Sequence, residues 1–275
     1  MSVDTSRLSS PFATGGGGHN FENHVQSAFV VLMLAGGIIP CLPPFAIKMI
    51  KLQGKYEGYE TDDCIVSVED RSGRQKGKLL AQIKHAVSIT ENDEIFAEVI
   101  RAAWADFQNK SIFNATRDAL ALITGPLSAT DTENARRILE WARHSATAQE
   151  FLDKVDLGQF SSEAKRNKLK AFRSQLQKAN EGVDVGNENL WRFLKSFHLL
   201  GYDLDIVSGV TLSLLNSHIA QFAVDDVLEL WTRVRSEVAS FNENAGTITR
   251  ETRIIVGGVH RRVRLRLSGS SCCCT

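Results

Sequence analysis

The stretch TDDCIVSVEDRSGRQKGKLLAQIKHAV, residues 61–87, decides how this chain is read. It holds two apolar runs of strand character, 62–70 and 77–87, separated by a turn at 70–73 containing Asp, Ser and Gly. Folding back at that turn makes a hairpin. It also carries Asp62 and Asp63, at the start of the first strand, toward Gln82–His85 near the end of the second. Gln82 and Lys84 are two residues apart, so their side chains leave the same face of the sheet. Leu79, Leu80, Ala81 and Ile83 surround them. A lysine in such apolar company is costly unless an anion faces it. The hairpin therefore predicts a carboxylate, an amide and an ammonium group meeting at one edge of a sheet.

Working outward, FAIKMIKL (45–52) reads as a preceding strand. Before it, residues 20–35 read as a helix, with Phe21, Val25, Ala28, Phe29 and Leu32 on one face and Gly36 and Gly37 ending it. After the hairpin, Thr90 is placed to cap a helix over 91–108, and 118–125 reads as a largely apolar fourth strand. Helix, three strands, helix, strand is an α/β unit built on one sheet. Beyond residue 128 the pattern turns helical, including amphipathic stretches at 161–180, 187–206 (ended by Gly201), 211–222 and 224–246. The expected organisation is a flexible Ser/Gly-rich N-terminus over 1–18, an α/β domain over 19–128, a helical domain over 129–255 and a basic tail over 256–275. In that tail Arg262, Arg264 and Arg266 alternate as an edge strand would. The sequence holds no internal repeat.

The chain has 275 residues, 43% of them hydrophobic, with 32 basic and 32 acidic side chains. Zero net charge points to no polyanionic partner, so a nucleic-acid surface would need local clustering. The helix after Ser161 offers one, with Lys165, Arg166, Lys168, Lys170, Arg173 and Lys178. Three of five cysteines form the terminal run 272–274, leaving Cys41 and Cys64 isolated. That pattern fits neither zinc nor a disulfide framework and is read as intracellular. The N-terminus lacks a signal-peptide core. The most apolar stretch, 27–47, is broken by Gly36, Gly37, Pro40, Pro43 and Pro44, whereas a spanning helix wants about 20 uninterrupted apolar residues. A cytoplasmic location is expected.

Gly15–Gly18 lead into the first helix. No strand precedes them and no Gly-Lys-Ser/Thr follows, so a flexible joint is preferred to a phosphate cradle. Glu22 and Gln26 lie one turn apart on that helix. Taken singly, Glu22 reads as a solvated helix residue, the Asp62-Asp63 pair as a strand entry and Lys84 as an edge-strand guard. His85 points away from Lys84, and His198 sits among Phe197, Leu199 and Leu200 as a packed residue. Trp141, Trp191 and Trp231 read as core.

Taken together, a helix glutamate, an aspartate opening a strand and Gln-x-Lys on the returning strand suit phosphodiester hydrolysis. Hard oxygen donors hold Mg²⁺, and a lysine offsets transition-state charge. The elements GGGGHNFENHVQSAF, TDDCIVSV and LLAQIKHA, in that order, resemble the PD-(D/E)xK restriction-endonuclease-like superfamily, in its Mrr-like variant where Gln replaces the second strand acid. They resemble in particular the N-terminal nucleases of bacterial antiphage effectors, some fused to large NTPase sensors. LALITGPLS, ILEWARHS, LWRFLKSFHLLGYDLD and NENAGTITRE resemble the helical region that follows such nucleases.

The resemblance implies a restriction-endonuclease-like core followed by an all-helical domain, and a metal-dependent DNA endonuclease of antiphage defence. It implies Mg²⁺, with Mn²⁺ able to substitute, held by Glu22, Asp63 and Gln82, with Asp62 an alternative to Asp63. It implies Lys84 as the catalytic lysine. Double-stranded DNA is the implied partner, contacted by Lys165, Arg166, Lys168 and Arg173. A homo-oligomer and a C-terminal NTPase or sensor region outside this chain are also implied. The alternatives are a catalytically silent nuclease-derived module that holds DNA or a protein, and a helical interaction adaptor.

Overall fold

The computed structural model describes residues 16–221 and 226–252. The expected edge strand at Arg262–Arg266 and the first fifteen residues lie outside them. Among the described residues, eight α-helices and one six-stranded mixed sheet make an α/β fold.

The predicted hairpin forms. Strand β2 (Cys64–Glu69) pairs antiparallel with β3 (Lys76–Ile83), in a register that sets Cys64 opposite Ala81 and Glu69 opposite Lys76. Asp70 closes the turn, its carboxylate accepting from Ser72 Oγ at 2.6 Å and Gln75 N at 3.0 Å. Strand β1 (Ala46–Leu52) lies antiparallel to β2 on its other side. Helix α1 (Gly16–Ala35) precedes it, ending at Gly36, whose φ of 71° suits glycine. The amides of Gly36 and Gly37 return to the carbonyls of Met33 and Leu32, capping the last turn.

Helix α2 (Glu94–Gln108) then crosses from β3 to β4 (Ala119–Thr124), which runs parallel to β3. All six β4 residues are buried, as befits an inner strand covered on both faces. The cap of α2 is Asp93, accepting from Phe96 N at 2.7 Å, and not Thr90. A carboxylate beside the helix N-terminus gains from the dipole as well as the hydrogen bond, so the helix starts three residues late.

Two expectations are corrected here. First, α1 begins inside the glycine run. Its early turns are clamped: Arg235 donates to Asn20 Oδ1 at 2.5 Å and Asn23 Oδ1 at 3.2 Å, and Asn23 donates back to the Arg235 carbonyl at 3.0 Å. These contacts hold helical a segment whose glycines each cost about 1 kcal/mol relative to alanine.

Second, the region after residue 128 does not stand apart from the sheet. A π-helical turn (Asp131–Arg136) leads into α3 (Arg137–Arg143), α4 (Ala148–Asp156), α5 (Glu163–Ala179) and α6 (Gly186–Ser196). The chain then enters β5 (Phe197–Gly201), parallel to β4, where the expected helix continued until Gly201. Phe197 and Leu199 are 1% and 2% exposed, so burial beside β4 outweighs the helical pattern. After α7 (Val210–Ile219) and α8 (Val227–Glu243), β6 (Thr247–Thr249) pairs with β1 at the opposite edge. The order is β5-β4-β3-β2-β1-β6, so the second half supplies both outer strands.

Side-chain alternation divides the core into two. Ile65, Leu80, Leu120 and Leu122 pack on one face with Phe96 of α2, Phe172 of α5 and Phe193 of α6. Cys64, Val66, Leu79, Ala81, Ile83 and Ile123 pack on the other with α1, α7 and α8. Trp191 and Trp231 are buried in the first and second core respectively. No helix among the described residues is long and apolar enough to cross a membrane.

Candidate functional site

The β2–β3 register continues one step past Cys64–Ala81, which brings Asp63 beside Gln82 at the sheet end. Asp63 Oδ2 accepts from Gln82 Nε2 at 2.7 Å and from Ile83 N at 2.6 Å. Lys84 Nζ lies 3.8 Å from the same oxygen. Gln82 turns its nitrogen to Asp63, which leaves its Oε1 outside this hydrogen bond. Asp63 is 7% exposed and Gln82 8%, whereas the Lys84 side chain is 34% exposed. Lys84 therefore touches both the buried carboxylate and solvent.

Burial pushes the Asp63 carboxyl up to about 7. The Lys84 ammonium pulls it down, while Glu22 pushes it further up. Desolvation dominates because the opposing charge, one-third exposed, is partly screened by solvent.

Glu22 reaches the site from α1. Its Oε1 accepts from Gln26 Nε2 at 2.8 Å, Asn242 Nδ2 at 3.1 Å and Gln53 Nε2 at 3.4 Å. The Gln26 amide also donates to the Asp63 backbone carbonyl at 2.9 Å, tying the two acids together. All three donors converge on Oε1, which leaves Oε2 outside these hydrogen bonds. The structure thus assembles Glu22, Asp63, Gln82 and Lys84. Asp62 is partly exposed and lies outside this hydrogen-bonded set.

Gln53 and Asn242 are the members that sequence reasoning missed. Gln53 ends β1 in a left-handed conformation, φ 53°, uncommon for a residue with a side chain. Asn242, 5% exposed, comes from the last turn of α8 and accepts from Gln53 Nε2 at 3.1 Å and Gln26 Nε2 at 3.2 Å.

Can these residues hold a cation? Among the described residues no trio of His, Cys, Asp and Glu is arranged for one. The donors on offer are two carboxylates and an amide oxygen. All are hard oxygens, suited to Mg²⁺ and not to zinc.

The histidines divide as follows. His85 Nε2 donates to Asp205 Oδ2 at 2.8 Å, and its ring meets Phe21 edge-on. His198 is largely buried, which brings it down to about 4, with Arg143 adding to the effect.

The basic helix is corrected. Lys168 bonds Asp131 Oδ1 at 2.7 Å and the Ile89 carbonyl at 3.0 Å. Lys170 pairs with Glu91 at 3.0 Å, and Arg173 with Asp184 and Asn187. Lys178 holds the Glu91 carbonyl at 2.6 Å, and Lys165 lies over the Trp141 ring. With Arg166, which is partly buried, these cations belong to a helix packed over α2, on the sheet face opposite α1. These contacts tie α5 to neighbouring parts of the chain.

No family model matches this sequence, and no curated protein does either. Solved structures do. A Cap4 SAVED/CARF-domain containing receptor from Acinetobacter baumannii, with the cyclic trinucleotide 3'3'3'-cAAA, is 12% identical with a TM-score of 0.48, covering 85% of this chain and 42% of its own. The same receptor described without a nucleotide is 11% identical with a TM-score of 0.48, covering 85% and 44%. The Moraxella osloensis Cap4 receptor is 12% identical with a TM-score of 0.44, covering 86% and 46%. The chain thus spans less than half the length of each. These proteins are described as receptors, one of them with a cyclic trinucleotide. On that finding the expectations of a DNA endonuclease and of DNA as partner are corrected, in keeping with the internally paired basic helix.

Proposed function

We propose that Glu22, Asp63, Gln82 and Lys84 form a Mg²⁺-dependent phosphodiester-hydrolysing site on the PD-(D/E)xK plan, with Gln-x-Lys on the returning strand. The observation that carries this reading is the convergence of Gln82, Ile83 N and Lys84 on one oxygen of a buried aspartate. The helix, antiparallel three-strand meander, crossover helix and parallel fourth strand support a restriction-endonuclease-like core. The antiphage setting belongs to the same proposal, through the motif resemblance.

Glu22 Oε2, Asp63 Oδ1 and Gln82 Oε1 would hold Mg²⁺, which when bound polarises a phosphate and acidifies water. Mn²⁺, also suited to oxygen donors, would substitute. The protein's own share is positional. Gln26, Gln53 and Asn242 fix Glu22 through Oε1. Gln82 and Ile83 N fix Asp63. Lys84, held by Asp63 yet open to solvent, faces the approaching substrate with a positive charge, orients the attacking water and offsets charge on the pentavalent phosphorus.

The test is hydrolysis of methyl p-nitrophenyl phosphate, an oligoribonucleotide and a cyclic trinucleotide, itself a phosphodiester, with Mg²⁺ or Mn²⁺. Release that disappears with EDTA, in Lys84→Ala and in Asp63→Ala supports the site. Folded protein that binds no Mg²⁺ by calorimetry and cleaves none of the three substrates overturns it.

A further inference from the structure

Next to Glu22 is a cavity of about 630 Å³, lined by His19, Gln53, Tyr56, Asn242, Asn244 and their neighbours. Its volume is in the range of small-molecule sites. Two lining residues, Gln53 and Asn242, are the amides that hold Glu22 Oε1. The cavity and the acid cluster therefore share a wall. On its rim Tyr56 is 86% exposed, carried by a tight 3-10 turn (Gly54–Glu57). That turn is bracketed by left-handed residues, Gln53 at φ 53° and Gly58 at φ 85°.

The turn is anchored. Gly54 N donates to the Asp62 carbonyl at 2.7 Å, and Glu57 pairs with Lys51 at 3.0 Å. Lys51 in turn holds the carbonyl of Ala245, another lining residue, at 2.9 Å. An exposed aromatic ring on a braced turn, facing amides and an imidazole across a cavity, offers what a nucleobase needs. The ring stacks on its π-face, and polar groups meet its edge.

We propose that this cavity is a nucleobase subsite, which seats the base of a nucleoside phosphodiester beside the scissile phosphate. Tyr56 is the stacking platform, while Gln53, His19 and Asn244 meet the base edge. Because Gln53 and Asn242 also hold Glu22, a seated base steadies the acid that would ligate Mg²⁺. The inference rests on the proposed hydrolytic site and names its substrate class.

The experiment compares adenosine 5'-(p-nitrophenyl phosphate) with methyl p-nitrophenyl phosphate, in the unaltered chain and in Tyr56→Ala. That substitution removes a surface ring and leaves the core alone. The expected loss in kcat/KM for the nucleoside ester is roughly 5- to 100-fold, the effect of removing one stacking partner, with under about twofold change for the methyl ester. Equal loss on both esters, or on neither, overturns the subsite while leaving the hydrolytic site standing. If neither ester is cleaved, calorimetric titration with AMP decides the subsite alone. Binding weakened in Tyr56→Ala and Gln53→Ala upholds it. No binding, or binding indifferent to both substitutions, overturns it.

Discussion

Replacing Asp63 with asparagine should stabilise the protein, and more so as pH rises. The side chain is 10% exposed, and its carboxyl titrates near 7 in the folded chain against about 3.9 when unfolded. Between these values the folded state holds a proton that the unfolded state has lost. Stability therefore falls as pH rises through this window and stays low above 7. At about 1.4 kcal/mol per pH unit, burying Asp63 costs roughly 1–2 kcal/mol at pH 5 and roughly 4 at pH 8. Asparagine keeps an oxygen for Gln82 Nε2 and Ile83 N, both of which bond one atom, Oδ2. It never ionises, so it escapes the penalty. Lys84 loses an anion but is one-third exposed and stays hydrated. Urea unfolding followed by tryptophan fluorescence at pH 5, 6.5 and 8 measures the difference. The gap between the Asp63→Asn variant and the unaltered chain should widen by roughly 2–3 kcal/mol from pH 5 to 8. A gap constant with pH would mean that Lys84 keeps Asp63 ionised throughout, and would refute the argument from burial.

Asn242→Ala should weaken Mg²⁺ binding by calorimetry about 10-fold or more without unfolding the chain, since it removes one donor to Glu22 Oε1 but is itself no proposed ligand; unchanged affinity would remove α8 from the site. Phe172→Ala should cost about 3–5 kcal/mol, because its ring is fully buried and meets Phe96 and Phe197 edge-on. The loss should appear in one cooperative transition, and two separate transitions would restore a boundary near residue 128. His198 should titrate near 4 by NMR, staying neutral at pH 6; a midpoint near 6.5 would place it in water.

The hairpin was legible because its signals are local. Alternation, a turn of Asp, Ser and Gly, and the spacing of Gln82 and Lys84 all lie within the single stretch 61–87. Strand β4 was legible for a similar reason, being a short apolar run between helices. Strand β5 was not, because LWRFLKSFHLLG carries helical spacing into residues whose burial is decided by β4. Local pattern cannot register a neighbour supplied from far earlier in the chain, as Leu120 is for Phe197.

The same distinction separates the two halves of the candidate site. Asp63, Gln82 and Lys84 are joined by strand register, which a hairpin fixes. Glu22 is joined to them by helix packing, and its orientation depends on Asn242, 220 residues away. Nothing in SFNENAG marks Asn242 as different from Asn244, yet one is buried against Glu22 and the other exposed. The difference comes from α8 lying along α1, an arrangement fastened by Arg235 on Asn20 and Asn23. A single helix turn of slippage there would carry Asn242 about 5 Å along the axis and leave Glu22 Oε1 without one of its donors. The second half of the chain therefore does more than follow the α/β unit: it supplies a wall of the cavity and the amide that aims the acid.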